Sequence, residues 1–273
     1  MPPTTFTNAR IVLPHAVVSG SVVVEAGVIT AVGDEPPVGT VIDLGGHYLM
    51  PGFVELHVHG GDGADFMDLT VEAFRTVARC HARHGTTTMT PTSTVGTFEQ
   101  YRRFLEINAD LAGTSDGGAR LVGGHLYGPY FRPEAKGCHP DAAFLSPEPG
   151  RDAELLAFAG RGLRTLTVAP ELPGALALIR TARECGVLVT AGHTYATFAE
   201  LRAGVEAGVR HVDHLFCAMS DRARLRQPAR VREEEPGDVH RRKKRRAFSV
   251  VVRATSSTGL PRASATVAST CAR

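Results

Sequence analysis

Between residues 48 and 216 the sequence alternates between short β-rich apolar runs and stretches with a helical apolar period, with one long loop, GPYFRPEAKGCHPDAAFLSPEPG, after the third strand-like run. The strand-like runs are YLMPGFVELHV (48–58), TTTMTPT (86–92), ARLVGGHLYG (119–128), LRTLTVAP (163–170), VLVTAGH (187–193) and HVDHLF (211–216). Between them lie LTVEAFRTVARCHARHG, TFEQYRRFLEINADLAG, RDAELLAFAGRG, GALALIRTAREC and TFAELRAGVEAG, each of which reads as a helix. Strands that alternate with helices over this length call for parallel βαβ units with right-handed crossovers. Six strands with five helices between them are expected. A closed (β/α)8 barrel takes eight of each and ~250 residues for the barrel alone. The expected class is α/β, an incomplete (β/α)8 TIM-type barrel of about six strands.

The flanks have a different texture. ARIVL, SVVVEAG, VITAVG and TVIDLGG are short and bounded by Gly, Pro or Asp, so residues 1–47 are expected to form a small N-terminal β-segment. The barrel body is expected over 48–220. From residue 221 the periodicity ends in a charge block, RRKKRR (241–246), and Ser/Thr/Ala low complexity. The tail carries 14 Lys/Arg against 5 Asp/Glu, a net of +9, so a whole-chain charge of +2 leaves −7 on the first 220 residues. A solvated, disordered tail (221–273) accounts for the charge run better than a nucleic-acid patch, since no aromatic but Phe248 stands by it to stack a base. A gene truncated or frameshifted after about residue 227 would produce such a tail, and that is the expectation here.

Other classes are set aside by composition. The N-terminus, MPPTTFTNAR, has no apolar signal-peptide core. No uninterrupted apolar run reaches the ~18 residues of a membrane helix. The five cysteines (Cys80, Cys138, Cys185, Cys217, Cys271) are scattered and odd in number, which suits a reducing compartment and makes the cytoplasm the expected location.

Chemistry concentrates in MPGFVELHVHGGDG, residues 50–63. Side chains alternate along a strand, so His57 and His59 share a face, which in a parallel barrel points inward. The glycines that follow put the pair at the strand's C-terminal mouth, where such barrels keep their active sites. Two neutral imidazoles there can share a divalent cation, with Zn–N distances of ~2.0–2.1 Å. His193 and His214 end two further predicted strands at the same mouth. His211 and Asp213 alternate with His214 and are expected to face the outer helices.

PGFVELHVHGG, GTTTMTPT, GGHLYGP with KGCHP, APE, GHT and HLFCAM follow one another in an order that closely resembles the N-acetylglucosamine-6-phosphate deacetylases of the amidohydrolase superfamily. The resemblance spans roughly residues 5–227. It implies that the N-terminal strands are part of a small β-sandwich. It implies a divalent metal (zinc, iron or similar), one or two ions, with His193 and His214 as principal ligands and His57 and His59 supplying a second position. His139, with Cys138 beside it, resembles the loop histidine that contacts the sugar. Cys217 and Ala218 fall where an Asn-Ala pair lines the family's substrate pocket. Arg222, Arg224 and Arg226 include candidates for a phosphate-binding arginine, with a solvated face as the alternative. The implied partner is a small phosphorylated amino sugar, with no membrane, and intact relatives are expected to be homodimers.

Two departures bear on the implied hydrolysis. The family's HLEGP carries a metal-ligating glutamate where HLYGP has Tyr127, and a phenol with an ordinary pKa ≈ 10 is a poor substitute for a carboxylate. His125, on the same face as Tyr127, is expected to stand behind the ligands. The family's catalytic aspartate lies on an eighth strand with no counterpart here, so the catalytic residue stays unassigned. Two alternatives remain open from the residues. One is another metal-dependent amidohydrolase, a cyclic amidase or deaminase, against which stands the sole pre-tail lysine, Lys136, on a loop. The other is an inactive fragment whose basic tail binds nucleic acid.

Overall fold

The computed structural model describes residues 2–140 and 144–219. The basic tail, with Arg222, Arg224 and Arg226, lies outside the described residues. The chain divides into two compact units, Met1–Gly52 and Phe53–Arg273.

In the first unit, β1 (Thr4–Val12), β2 (Val17–Glu25) and β3 (Val28–Gly33) run antiparallel to their neighbours, while β4 (Thr40–Asp43) and β5 (Tyr48–Leu49) pair parallel to β1. The described residues of this unit form one five-stranded sheet, with Ala9, Ile11 and Val22 buried at its centre. The run YLMPGFVELHV is therefore two strands and not one. Tyr48–Leu49 belongs to the N-terminal sheet, so the unit extends past the expected junction at residue 47 to Gly52. Pro51 explains the break, because proline has no N–H to offer a ladder.

The second unit alternates as the sequence requires. β6 (Phe53–Val58) is followed by a two-stranded antiparallel hairpin, β7 (Gly60–Gly61) and β8 (Ala64–Asp65), then α1 (Val71–Ala82) and β9 (Thr86–Pro91). Next come α2 (Phe98–Leu111), β10 (Arg120–Leu121), β11 (Gly124–Tyr130), α3 (Pro149–Leu156) and β12 (Leu163–Val168). α4 (Ala175–Glu184), β13 (Leu188–Ala191), α5 (Phe198–Ala207) and β14 (His211–Val212) complete it. The long strands pair in parallel in two orders, β6-β9-β10 and β11-β12-β13-β14. An isolated parallel bridge between Thr92 and His125 links them.

Local chemistry explains the boundaries. Thr97 and Gln100 form a reciprocal capping box at the start of α2, and Thr197 and Glu200 do the same for α5. On α2, Tyr101, Phe104, Leu105, Asn108 and Leu111 recur at helical spacing and are buried against the sheet. The core between helices and strands gathers Phe66, Phe74, Val77, Met89, Phe104, Leu126, Leu166 and Ile179. Burial of each such side chain contributes about 1.5–3 kcal/mol. Among the described residues no helix is long and apolar enough to cross a membrane.

Core membership fixes which strand face is which. Val58, Leu126, Leu166, Val168, Val189 and Ala191 all pack in the helix-side core. The residues between them therefore face the other side of the sheet: His57, His125, Tyr127, Thr167 and Thr190.

Candidate metal centre

His57 lies on β6, and His59 follows directly after that strand ends at Val58. β13 ends at Ala191 and β14 at Val212, so His193 and His214 lie two residues beyond their strands. Both adopt left-handed backbone, φ 49° at His193 and φ 25° at His214. Such conformations cost on the order of 1–3 kcal/mol for a side-chain-bearing residue, and they concentrate where geometry serves a site. Beyond the strand ends, the alternation of the strands no longer dictates the direction of these two rings.

That same parity corrects the expectation for Asp213. The sequence pattern places it with His211 toward the outer helices, but its carboxylate is buried on the inner face. The inward positions on these strands include Thr167 and Thr190, and both hydroxyls donate to Asp213 Oδ2, at 2.6 and 2.7 Å. Asp213 Oδ1 lies 3.5 Å from His57 Nδ1 and 3.9 Å from His211 Nε2. His211 therefore also turns inward.

The four histidines come together around Tyr127. Ring centroids are 5.0 Å apart for His57 and His59, 5.7 Å for His57 and His214, and 5.1 Å for His193 and His214. Tyr127 lies 4.6 Å from His57, 5.4 Å from His59 and 5.2 Å from His193 by the same measure. Ser93 holds this tyrosine in place: its Oγ accepts from Tyr127 N at 2.9 Å and donates to Tyr127 O at 2.8 Å.

The hydrogen bonds on the outer edge of each ring assign its tautomer. His59 Nδ1 faces Thr92 O at 3.3 Å, His193 Nδ1 faces Ala135 O at 2.9 Å, and His214 Nδ1 faces Cys217 O at 3.1 Å. A carbonyl only accepts, so each Nδ1 carries the proton and each Nε2 presents a lone pair inward. His57 Nδ1 meets a carboxylate oxygen and follows the same rule. His57 Nε2 and His59 Nε2 then face each other at 3.2 Å with no proton between them. The Tyr127 hydroxyl touches His193 Nε2 and lies 2.9 Å from His214 Nε2, and its single proton serves only one of them. Inward lone pairs thus outnumber protons. This donor set fits a divalent cation, whose histidine ligands characteristically tie their second nitrogen to a carbonyl or carboxylate.

Burial keeps His59, His193 and His214 neutral and ready to ligate. It pushes His59 and His193 down to about 3, with charge on His57 adding to the effect at His59 and charge on His214 at His193. Burial also lowers His214, and brings His139 down to about 4. His125 is taken to about 3 by burial, against the attraction of Asp213; its Nε2 meets Thr167 Oγ1 at 2.7 Å, and its buried Nδ1 has no hydrogen-bond partner. For Asp213, burial works upward, but His125, His57 and the Thr167 hydroxyl outweigh it and hold the carboxyl well below its usual range. Among the described residues, the group of three whose ligand atoms all lie within 4.8 Å of one another is His57, His125 and Asp213, which shares His57 with the four histidines.

The residues expected to line a substrate pocket lie at the rim. The His139 ring is 5.6 Å from Tyr127 and 5.2 Å from His193. Cys138 and Cys217 are exposed. The Cys217 carbonyl anchors His214, and the Ala218 carbonyl accepts from Thr194 N at 3.1 Å. Residues that sequence reasoning missed include Phe131, whose ring stacks on His193 at 4.0 Å and 7°, and the Thr167–Thr190–Asp213 group. Strand parity anchored on the core would have flagged the threonines. Nothing in the sequence marks Phe131.

Residues 48–231 match the amidohydrolase family. The chain belongs to that family. It is 34% identical over 194 residues to the N-acetylgalactosamine-6-phosphate deacetylase of Escherichia coli O157:H7, covering 71% of this chain and 51% of the relative. It is also 34% identical over 183 residues to the human N-acetylglucosamine-6-phosphate deacetylase, covering 65% and 44%. Among solved structures, the N-acetylglucosamine-6-phosphate deacetylase of Pasteurella multocida superposes with a TM-score of 0.74 at 28% identity, covering 80% of this chain and 58% of that one. The Mycobacterium smegmatis enzyme of the same name gives 0.72 at 29% identity, covering 81% and 58%. The chain spans about half the length of the curated relatives it matches.

Proposed function

We propose that this amidohydrolase acts as a metal-dependent deacetylase on N-acetylglucosamine 6-phosphate, releasing acetate and glucosamine 6-phosphate. The observation that carries the proposal is the gathering of four imidazoles around Tyr127, with Nδ1 of His59, His193 and His214 held by main-chain carbonyls and the Nε2 atoms of all four turned inward. The names of its relatives give the substrate class. When bound in that cage, a divalent cation supplies a Lewis acid for the amide carbonyl and lowers the pKa of water toward ~7.

The chain's own groups do the rest. His57, His59, His193 and His214 would hold the ion, one or two being accommodated by two pairs of inward nitrogens. Tyr127 stands where the family resemblance implies a carboxylate, so the ion would meet a phenol on that side. His139, kept neutral by burial, stands over the rim beside Tyr127 and Phe131, in reach of a sugar ring. Cys138, Cys217 and Ala218 would complete the pocket. The strand arrangement supports six consecutive βα positions of a (β/α)8 barrel, with β6 and β14 at the outer ends of the pairing orders.

Acetate release measured on the full chain tests the proposal. Release from N-acetylglucosamine 6-phosphate that chelator abolishes and a divalent metal restores would support it. The galactosamine epimer, run beside it, identifies which sugar is preferred. Hydrolysis of a hydantoin with no acetate release would overturn it in favour of a cyclic amidase.

A further inference from the structure

We propose that Asp213 is the positioning residue that fixes the tautomer and orientation of His57, and so prepares that end of the cage for a cation. The proposal rests on the metal-centre assignment, yet its core claim concerns the apo protein.

The neighbours of Asp213 occupy one of its two carboxylate oxygens. Its Oδ2 is taken by the Thr167 and Thr190 hydroxyls at 2.6 and 2.7 Å. Thr167 in turn meets His125 Nε2 at 2.7 Å, a chain that steadies the carboxylate from behind. A Cβ at Gly192 would stand 3.1 Å from both the Cβ and Oδ2 of Asp213, so the bare backbone at 192 makes room for the side chain. What remains is Oδ1, which lies 3.5 Å from His57 Nδ1, nearer than the 3.9 Å to His211 Nε2. A carboxylate accepts and never donates, so the proton of His57 belongs on Nδ1 and its Nε2 is left bare toward His59.

Asp213 could instead ligate a cation directly with His57 and His125. The hydrogen bonds speak against it. Ligation through Oδ2 or His125 Nε2 would break the hydrogen bonds these atoms already make, and Oδ1 is turned toward His57 Nδ1. A carboxylate behind a ligand histidine raises its basicity and fixes its ring, and removing one typically weakens metal binding about 10–100-fold.

The test is histidine nitrogen NMR on the metal-free, full-length chain, with the His57 signal identified by its loss in His57→Gln. The wild-type chain is expected to show the Nδ1–H tautomer at His57. In Asp213→Asn the preference should weaken or reverse, and zinc affinity, measured by chelator competition, should drop about 10–100-fold. Gly192→Ala keeps the carboxylate but crowds it, and should move both readouts the same way by less. An Nε2–H tautomer in the wild type, or a tautomer unchanged in both variants, overturns the proposal. So does an affinity loss far beyond that range, which would make Asp213 a ligand. The tautomer is read without metal or substrate, so its failure and a failure of acetate release are separable.

Discussion

The phenolic oxygen of Tyr127 stands between two imidazole nitrogens, His193 Nε2 on one side and His214 Nε2 at 2.9 Å on the other. Two lone pairs and one hydroxyl proton meet at a point that a metal with histidine ligands would otherwise share with an anion. Tyr127→Glu is therefore expected to raise divalent-metal affinity at least tenfold, an anionic oxygen replacing a neutral one. Chelator competition with purified protein measures it. An unchanged affinity would mean that the cation does not sit between His193 and His214.

Acid should weaken the fold through the buried histidines. Burial holds His59, His125 and His193 near 3 against an ordinary value of 6.5, and His139 near 4. The unfolded chain takes up these protons first, so stability is fully present above about pH 6.5 and is lost as pH falls toward the folded values. Urea midpoints of the metal-free chain, followed between about pH 4 and pH 8, should decrease steadily on the acid side. A flat profile would contradict the burial of the rings.

Gly128 follows Tyr127 with φ +123°, and a Cβ there would lie 2.8 Å from Thr94 O and 2.9 Å from the Tyr101 hydroxyl. Gly128→Ala combines backbone strain with a clash against main chain. We expect a loss of more than about 2 kcal/mol, together with displacement of the Tyr127 ring. Denaturant unfolding reads the first, and metal affinity reads the second.

Phe104 is fully buried on α2 within the main core. Phe104→Ala should cost about 3–5 kcal/mol through lost burial and a residual cavity. Calorimetry or urea unfolding checks the magnitude, and metal affinity of the folded fraction should be little changed.

The alternation of strands and helices was plain in the sequence because each element carries its own period and its own boundary signal, as Thr97 and Gln100 show for α2. The break at Pro51 was missed because an apolar run on both sides hides a change of sheet. At the site, the sequence named the histidines that the fold gathers, since each follows or ends an apolar strand. It misplaced Asp213 because alternation was counted back from His214, a residue that lies beyond β14 in left-handed backbone and so no longer obeys the strand's parity. Hydrogen-bond partners contributed by main chain, such as Ala135 O and Cys217 O, leave no trace in residue identity.

Those main-chain anchors have a further consequence. His193 hangs from the 3-10 turn at Pro133–Ala135 and His214 from the stretch just after it, so the outer nitrogens report on loop backbone and not on loop side chains. Evolution is then free to rewrite what those loops say to a substrate while the imidazoles keep their aim, provided the peptide path is preserved. An insertion that reroutes either loop would instead disarm the centre without touching a single ligand.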